Sequence, residues 1–320
     1  MRLRPFAIAF LLTLTAAGSL SAATEGSSDP LLTPDGTLFL MQRSADGRSL
    51  QLVQRTDDVR AVEVVPATSY TLRVSDPRIA YEPNSKTLVA LWRRAGFGNH
   101  GDEIVVTTLD NNGSWSTPHV VAPGSVSHAD LQIAVSRTTR PNYGDYPVPV
   151  LLIHAVWRAK PETGERPEYA LLAYEGAQLV SSYQADLANL AGFFDAEDNG
   201  DTTSRPLTIS TGDDTVDIVF GLPGSTTLSR LRFKPQLDAR VFIPTGKQHS
   251  RMSYLEVEST GHINALTVGK HVVLYTVDAN MFRYSINTDG MWEPVHSLRV
   301  DDKVTADDII RELLRATADK

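Results

Sequence analysis

Acidic and basic side chains recur at corresponding places along this sequence, beside short apolar runs. Aspartate stands directly before proline at the start of two such runs, at Asp29–Pro30 and Asp76–Pro77. Arginine follows a tryptophan at the end of two others, at Arg93 and Arg158. A carboxylate accepts hydrogen bonds from hydroxyl and amine groups, and a guanidinium binds a carboxylate or sulfate through two parallel hydrogen bonds. Brought together on one surface, these residues would recognise a polar ligand such as a glycan.

Nine residues are the candidates for ligand binding, and they share a position relative to the apolar runs. Each lies at the start of a first strand, or at the end of a second strand and in the loop behind it. They are Asp29, Asp76, Arg93, Arg94, His100, Asp130, Arg158, Arg205 and His262. In an up-and-down unit the start of the first strand and the end of the second lie on the same side, so we expect one charged face. The structural alternative for each residue is an aspartate that caps a turn, or an arginine that extends along apolar surface to water.

Catalysis is a second chemistry that these residues allow. Hydrolysis of a glycosidic bond needs two carboxyl groups about 5 to 9.5 Å apart, one of them protonated. Asp29, Asp76 and Asp130 could supply a base and a helper, but the fourth corresponding position holds Arg205–Pro206. No residue is identified as the general acid. We therefore predict a non-catalytic binding protein with no assigned catalytic residue, and keep a glycoside hydrolase as the alternative.

Three other motifs are excluded by their context. Gly96–Gly101 matches the glycine spacing of a dinucleotide-binding loop, but a further strand follows it instead of the required helix. The acidic run Asp195–Asp201 begins like a calcium loop, yet Pro206 stands where the bidentate glutamate belongs. His154, within an apolar run, is interpreted as a hydrogen-bonded strand residue. We predict no cofactor and no metal site.

The apolar runs belong to a unit that the chain repeats. Its clearest element is a strand with a large residue near its end, at LFLMQR (38–43), LVALWR (88–93), IHAVWR (153–158), VDIVFG (216–221) and VVLYTV (272–277). A shorter strand and a turn precede each copy, and two further strands follow it. Four short strands that recur about every 50 to 65 residues are typical of a β-propeller.

The repeat predicts an all-β fold, with a β-propeller domain over residues 24–300. We expect five four-stranded blades. Six blades stay possible if the strand-like pieces 69–75 and 252–258 belong to another blade.

The last segment, 301–320, departs from this pattern. Its apolar residues Ile309, Ile310, Leu313 and Leu314 fall on one face at helical spacing. We predict a short C-terminal amphipathic helix there, docked on the propeller or, as the alternative, bound to a partner.

Two turns of the repeat have corresponding residues. Thr107–Pro118 reads TTLDNNGSWSTP and Ser285–Pro294 reads SINTDGMWEP. This pattern resembles the Asp-box (BNR-type) turn of sialidase-like β-propellers, with Gly113 and Gly290 one place later than usual and Asn287 in place of the aspartate. The resemblance implies the propeller fold, with a structural turn on the side away from the ligand. The arginine triad and tyrosine–glutamate pair of sialidases have no matching set here.

The first residues and the overall charge bear on location. Residues 1–23 combine a basic start, an apolar run and small residues, which predicts a secretory signal peptide cleaved after Ala23. Its removal leaves 28 Lys and Arg against 38 Asp and Glu, a formal net charge of −10 where the whole chain has −8. An acidic protein is a poor partner for nucleic acid, and no other apolar run is long enough to span a membrane. An exported protein of this size that has no cysteine fits a bacterial origin better than a eukaryotic secretory route. We therefore expect a secreted or periplasmic bacterial protein. Its expected partner is a glycan or a protein.

Overall fold

The structure is a computed structural model that describes most of the chain between Ser27 and Arg299. The described residues are 27–28, 31–56, 60–65, 73–95, 101–140, 146–160, 166–191, 207–211, 214–221, 227–253, 264–268, 271–278, 281–288 and 291–299. They form antiparallel β-sheets and one short helix, α1 (Leu187–Ala191). The predicted all-β class is confirmed. The predicted signal peptide (1–23) and C-terminal helix (301–320) lie outside the described residues.

Five sheets follow one another along the chain, and within each the strands are paired in the order of the sequence. Sheet 1 contains β1 (Leu31–Leu32), β2 (Leu38–Arg43), β3 (Leu50–Arg55) and β4 (Arg60–Val64). Sheet 2 contains β5 (Val74–Glu82), β6 (Thr87–Ala95), β7 (Asp102–Leu109) and β8 (His119–Ala122). Sheet 3 contains β9 (Ser127–Arg140), β10 (Val148–Lys160), β11 (Arg166–Glu175) and β12 (Gln178–Asp186).

The last two sheets follow the same plan. Sheet 4 contains β13 (Leu207–Thr211), β14 (Val216–Gly221), β15 (Thr227–Asp238) and β16 (Val241–Ser253). Sheet 5 contains β17 (Asn264–Val268), β18 (His271–Asp278), β19 (Met281–Thr288), β20 (Met291–Trp292) and β21 (His296–Arg299), the last two both paired with β19. Hairpins join each strand to its neighbour, which is how consecutive antiparallel strands are connected most simply. The predicted repeat of four antiparallel strands is therefore present.

The first strands of consecutive sheets lie next to one another. β5 lies against β2 of sheet 1 and against β9, while β13 lies against β9 and β17. The inner strands are thus grouped together and the fourth strands lie outside. This side-by-side arrangement of antiparallel sheets is propeller-like.

Apolar side chains fill the spaces between consecutive sheets because successive residues of a strand face opposite ways. Trp92 of β6 packs back against sheet 1, with Met41 and Leu52. Trp157 of β10 packs back against sheet 2, with Leu91. Both indole rings are fully buried, so these tryptophans pack between sheets. Phe220 of β14 packs in the same way between sheets 3 and 4.

The turn between β7 and β8 is held by its own side chains. Asp110 Oδ1 accepts hydrogen bonds from the backbone N–H groups of Asn112 (2.9 Å) and Ser114 (2.8 Å). Gly113 has a φ of +78°, which glycine adopts without a steric penalty. Trp115 Nε1 donates to Glu63 Oε1 on β4 at 2.8 Å. The turn is therefore held by its own hydrogen bonds, and its tryptophan connects the outer strands of sheets 1 and 2. The corresponding residues Asp289 and Gly290 lie outside the described residues.

Helix α1 performs a similar task between sheets 3 and 4. It follows β12 directly, and Asp186 Oδ1 accepts a hydrogen bond from the Ala188 N–H at 2.8 Å in its first turn. Leu187 and Leu190 are buried, and the helix packs against β11, β12 and β16. An apolar helical turn thus covers the outer part of this junction.

Candidate functional site

The first strands of sheets 2 and 3 carry the same irregularity. In β5 the pairing with β6 jumps from Ser75/Arg93 to Arg78/Leu91, and in β9 the pairing with β10 shifts between Val156 and Arg158. Each shift is a β-bulge, in which two residues face one. The bulges hold Asp76 at a φ of +46° and Asp130 at +53°. Aspartate is one of the few side chains that adopt this left-handed conformation at moderate cost.

Each bulge brings its aspartate to the arginine at the end of the second strand. Asp76 Oδ2 lies 2.7 Å from Arg93 Nη2, and Asp130 Oδ2 lies 3.1 Å from Arg158 Nε. The two arginines correspond, since each follows the buried tryptophan of its strand. All four residues are among those predicted to form the charged face, and the structure brings them together as two corresponding ion pairs.

The first ion pair reaches into the next sheet. Arg93 Nη1 lies 3.2 Å from Asp102 Oδ2 and donates to the backbone carbonyl oxygen of His128 on β9 at 2.5 Å. Both terminal nitrogens of Arg93 are thus engaged by the protein. Arg93 therefore joins sheet 2 to sheet 3, in addition to holding Asp76.

The two side chains of the second ion pair are buried to very different extents. The Arg158 side chain is only 2% exposed, whereas that of Asp130 is 43% exposed. The guanidinium lies inside the protein and the carboxylate is presented to solvent. A buried cation that holds an exposed carboxylate is a preorganised hydrogen-bond acceptor.

Arg94 belongs to a different surface from Arg93. It forms an ion pair with Glu103 on β7, at 2.9 Å from Nε and 2.5 Å from Nη2 to Oε2. Because adjacent strand residues point to opposite faces, Arg94 faces sheet 1 while Arg93 faces sheet 3. The structure does not bring Arg94 together with the two Asp–Arg pairs.

Two further contacts to β9 were missed by sequence reasoning. Arg78 Nε donates to the backbone carbonyl oxygen of Leu131 at 2.6 Å. Thr211 Oγ1, from sheet 4, donates to the carbonyl oxygen of Val135 at 2.7 Å. The residue type of a strand position does not indicate that its main-chain oxygen will accept such a bond, so the sequence contains no sign of these two contacts.

His128 lies buried at the junction of sheets 2 and 3. Its ring meets the Trp157 indole edge-on, with the ring centroids 6.3 Å apart. Burial is the largest effect and lowers the pKa of His128. The backbone hydrogen bond with Asp102 and the negative charges of Glu168 and Asp102 raise this pKa, whereas the positive charge of Arg93 lowers it further. The net shift is downwards. A neutral ring is therefore favoured beside the first ion pair.

His154 is a structural histidine, as its apolar surroundings in the sequence predicted. Its Nε2 lies 2.9 Å from Ser136 Oγ, and its Nδ1 lies 2.9 Å from the Tyr169 hydroxyl. Complete burial lowers the pKa of His154 to about 3. Such a weak base cannot activate Ser136 at neutral pH, so this trio is a buried hydrogen-bond chain and no nucleophilic site.

The remaining predicted site residues cannot be placed. Asp29, His100, Arg205 and His262 lie outside the described residues. Among the residues that are described, no group of three or more His, Asp or Glu side chains is placed to hold a metal ion. No helix of the described part is long and apolar enough to cross a membrane.

No protein-family model and no curated protein matches the chain. Among solved structures, the Dos1 propeller is similar with a TM-score of 0.40 and 8% identity, over 82% of this chain and 56% of that one. The polysaccharide lyase Uly1 is similar with a TM-score of 0.41 and 11% identity, over 85% and 68%. The β-propeller domain of the Trilobed protease from Pyrococcus furiosus is similar with a TM-score of 0.35 and 11% identity, over 89% of this chain and 83% of that one. The chain thus spans little more than half the length of the Dos1 structure, and its resemblance to β-propellers is one of fold.

Proposed function

We propose that the chain is a five-bladed β-propeller that binds a glycan or a protein ligand, without catalysis, on the face formed by the starts of its first strands. The observation that carries this proposal is the exposed carboxylate of Asp130, held by the buried Arg158. An ion pair buried at one end and open at the other is well suited to accept hydrogen bonds from a ligand. Asp76 occupies the corresponding place one sheet earlier.

The ligand is expected to donate hydrogen bonds to these carboxylates. Arg93 already contacts Asp76, Asp102 and the His128 carbonyl oxygen, and Arg158 is buried. At the second pair the group left facing solvent is therefore the Asp130 carboxylate. Sugar hydroxyls and the N–H groups of a peptide suit such acceptors better than a sulfate or carboxylate does.

A glycoside hydrolase is the second candidate, since two aspartates stand at equivalent bulges of neighbouring first strands. Hydrolysis would require a second carboxyl group that acts as the acid. Asp76 and Asp130 are each paired with an arginine, which suits an acceptor or positioning role. No residue of the described part is assigned as the acid, so binding is the better-supported function.

Asp130→Asn tests the proposal with little change in shape, because asparagine also tolerates the left-handed conformation. The probe is an array of neutral and anionic oligosaccharides, followed by a titration with the best of them. We expect Asp130→Asn to weaken binding by about tenfold, equivalent to one charged hydrogen bond of about 1.4 kcal/mol. Asp238→Asn, at an exposed aspartate of β15 away from the bulges, is the matched control.

Three results would count against the binding proposal. They are no binding to any oligosaccharide or peptide probe, equal loss in both variants, or unchanged binding by Asp130→Asn. Release of reducing sugar from a bound oligosaccharide would instead establish the hydrolase. The associated proposal of export is tested by the N-terminal sequence of the protein from its native cells, which should begin at Thr24.

A further inference from the structure

The face of sheet 1 that points away from sheet 2 carries exposed apolar side chains on its outer strand. Leu40, Val53 and Val62 stand in register across β2, β3 and β4. Val62 is 51% exposed and Val64, on the same face, is 57% exposed. Two adjacent exposed valines on an outer strand are a surface that water solvates poorly.

The orientation of this face follows from the pairing register. Met41, Leu52 and Glu63 are in register on the other face. Met41 and Leu52 pack against sheet 2, and Glu63 accepts the hydrogen bond from Trp115. Because side chains alternate along a strand, Val62 and Val64 point away from sheet 2.

Other outer junctions of this molecule are covered by side chains or a helical turn. Sheets arranged side by side around inner strands diverge towards their fourth strands, so the outer part of each junction is a wedge. Trp115 covers the wedge between sheets 1 and 2. Helix α1, the segment that directly follows the fourth strand of sheet 3, covers the wedge towards sheet 4 with Leu187 and Leu190.

We propose that the segment 301–320 covers the exposed valines of sheet 1 in the same way, with Ile309, Ile310, Leu313 and Leu314 against Val62 and Val64. This inference rests on the proposed five-bladed arrangement and is independent of the proposed ligand. Each fourth strand leads the chain to the next sheet, as β8 leads to β9 within four intervening residues. The fourth strand of sheet 5 ends at Arg299, and in a closed ring the next sheet is sheet 1.

The length of the segment agrees with this occupant. The nine residues from 301 to 309 extend to about 30 Å, while first and fourth strands of a sheet are only about 15 Å apart.

Cysteine labelling tests this docking without background, since the chain has no cysteine of its own. Val64→Cys should react with a maleimide about tenfold more slowly in the full chain than when it is combined with Leu313→Asp and Leu314→Asp, because docking restricts access. Val241→Cys, on the fourth strand of sheet 4 and 39% exposed, is the matched control. Its labelling rate should not respond to the two aspartates.

A cross-link provides a second measurement that does not depend on how the double-aspartate variant folds. Val64→Cys combined with Leu313→Cys should form a disulfide within one chain on mild oxidation, whereas Val241→Cys combined with Leu313→Cys should not. Equal labelling rates of Val64→Cys in both backgrounds would overturn the proposal. So would a disulfide between two chains, which would identify a second copy as the cover, or equal cross-linking at positions 64 and 241.

Discussion

The two Asp–Arg pairs have the same local structure but differ in the exposure of their side chains. Both aspartates occupy a bulge at positive φ, and both arginines follow a buried tryptophan. In the first pair the side chains of Asp76 and Arg93 are exposed to a similar small extent. The terminal nitrogens of Arg93 contact three acceptors. In the second pair Arg158 is buried and Asp130 is open to solvent.

This difference separates two uses of one repeated device. The Asp76–Arg93 pair connects sheets, because the guanidinium reaches the backbone of β9. The Asp130–Arg158 pair presents a carboxylate, because its guanidinium is withdrawn into the protein. A repeat can therefore keep its geometry while one copy joins two sheets and another presents a carboxylate to solvent.

Acidification should produce the largest effect, because it acts on a buried neutral group of β10, the strand that carries Arg158 of the second pair. His154 lies on the same face of β10 as Arg158, and burial lowers its pKa to about 3. Between pH 6.5 and about 3 the His154 ring is protonated in the unfolded chain but stays neutral in the folded chain. Stability is therefore lost as pH falls through this window, by about 1.4 kcal/mol per pH unit for this residue.

Urea unfolding at pH 7, 5.5 and 4.5 measures this slope. His154→Gln retains a group that can bond Ser136 and Tyr169 but does not titrate, so its slope should be smaller by the amount given. His128, whose pKa is also lowered by burial, contributes to both proteins alike. If the free energy of unfolding depended on pH equally in the two proteins, folding would not lower the pKa of His154.

Replacing each arginine by methionine should separate the two pairs next. Arg158→Met leaves Asp130 unpaired but 43% exposed to water, so we expect only about 1 kcal/mol lower free energy of unfolding. Arg93→Met should cost more, about 2–3 kcal/mol, because Asp76 and Asp102 are less exposed and the His128 carbonyl oxygen also loses its donor. Denaturant titrations with unchanged slopes would measure both values. The opposite ranking would show that the buried guanidinium of Arg158 matters more than the link between sheets.

The two tryptophans sharpen the comparison by a smaller amount. Trp157 Nε1 donates to the buried Glu168 Oε2 at 3.1 Å, whereas Trp92 Nε1 has no hydrogen-bond partner in the described part of the chain. Trp157→Phe should therefore destabilise the protein by about 1–2 kcal/mol more than Trp92→Phe does. Thermal unfolding of both variants gives the difference. Equal losses would mean that ring volume alone determines the effect.

The smallest effect is expected at the turn of Asp110, which lies away from both pairs. Asp110→Ala removes two hydrogen bonds to backbone N–H groups in an exposed turn, which should cost about 1 kcal/mol. Its oligosaccharide binding should stay at the wild-type value, since the turn lies at the other end of the strands from the bulges. If Asp110→Ala lost binding while its fold stayed intact, the ligand would bind on the side of the turn, opposite to the side that we propose.

Much of this fold was predictable because it rests on patterns within single strands. The large residues at 92, 157 and 220 marked second strands, and the aspartates at 76 and 130 marked the starts of first strands. The hydrogen-bonded role of His154 followed from its apolar neighbours. The number of blades, the signal peptide and the C-terminal helix stay predictions.

The unequal exposure of the two pairs was not predictable, since it depends on contacts between sheets. Arginines at strand ends were expected to extend into water, but Arg158 is buried. The bulge was also hidden, because proline follows Asp76 while leucine follows Asp130. Neither dipeptide by itself specifies a positive φ.

Strand β9 has a consequence for how the molecule folds. Its carbonyl oxygens at 128, 131 and 135 accept bonds from Arg93, Arg78 and Thr211, which belong to the sheets on either side. Side-chain changes on β9 leave these acceptors in place, so the strand can vary in sequence and still hold both neighbours. The same strand makes sheets 2, 3 and 4 interdependent, so we expect them to unfold in one cooperative step rather than sheet by sheet.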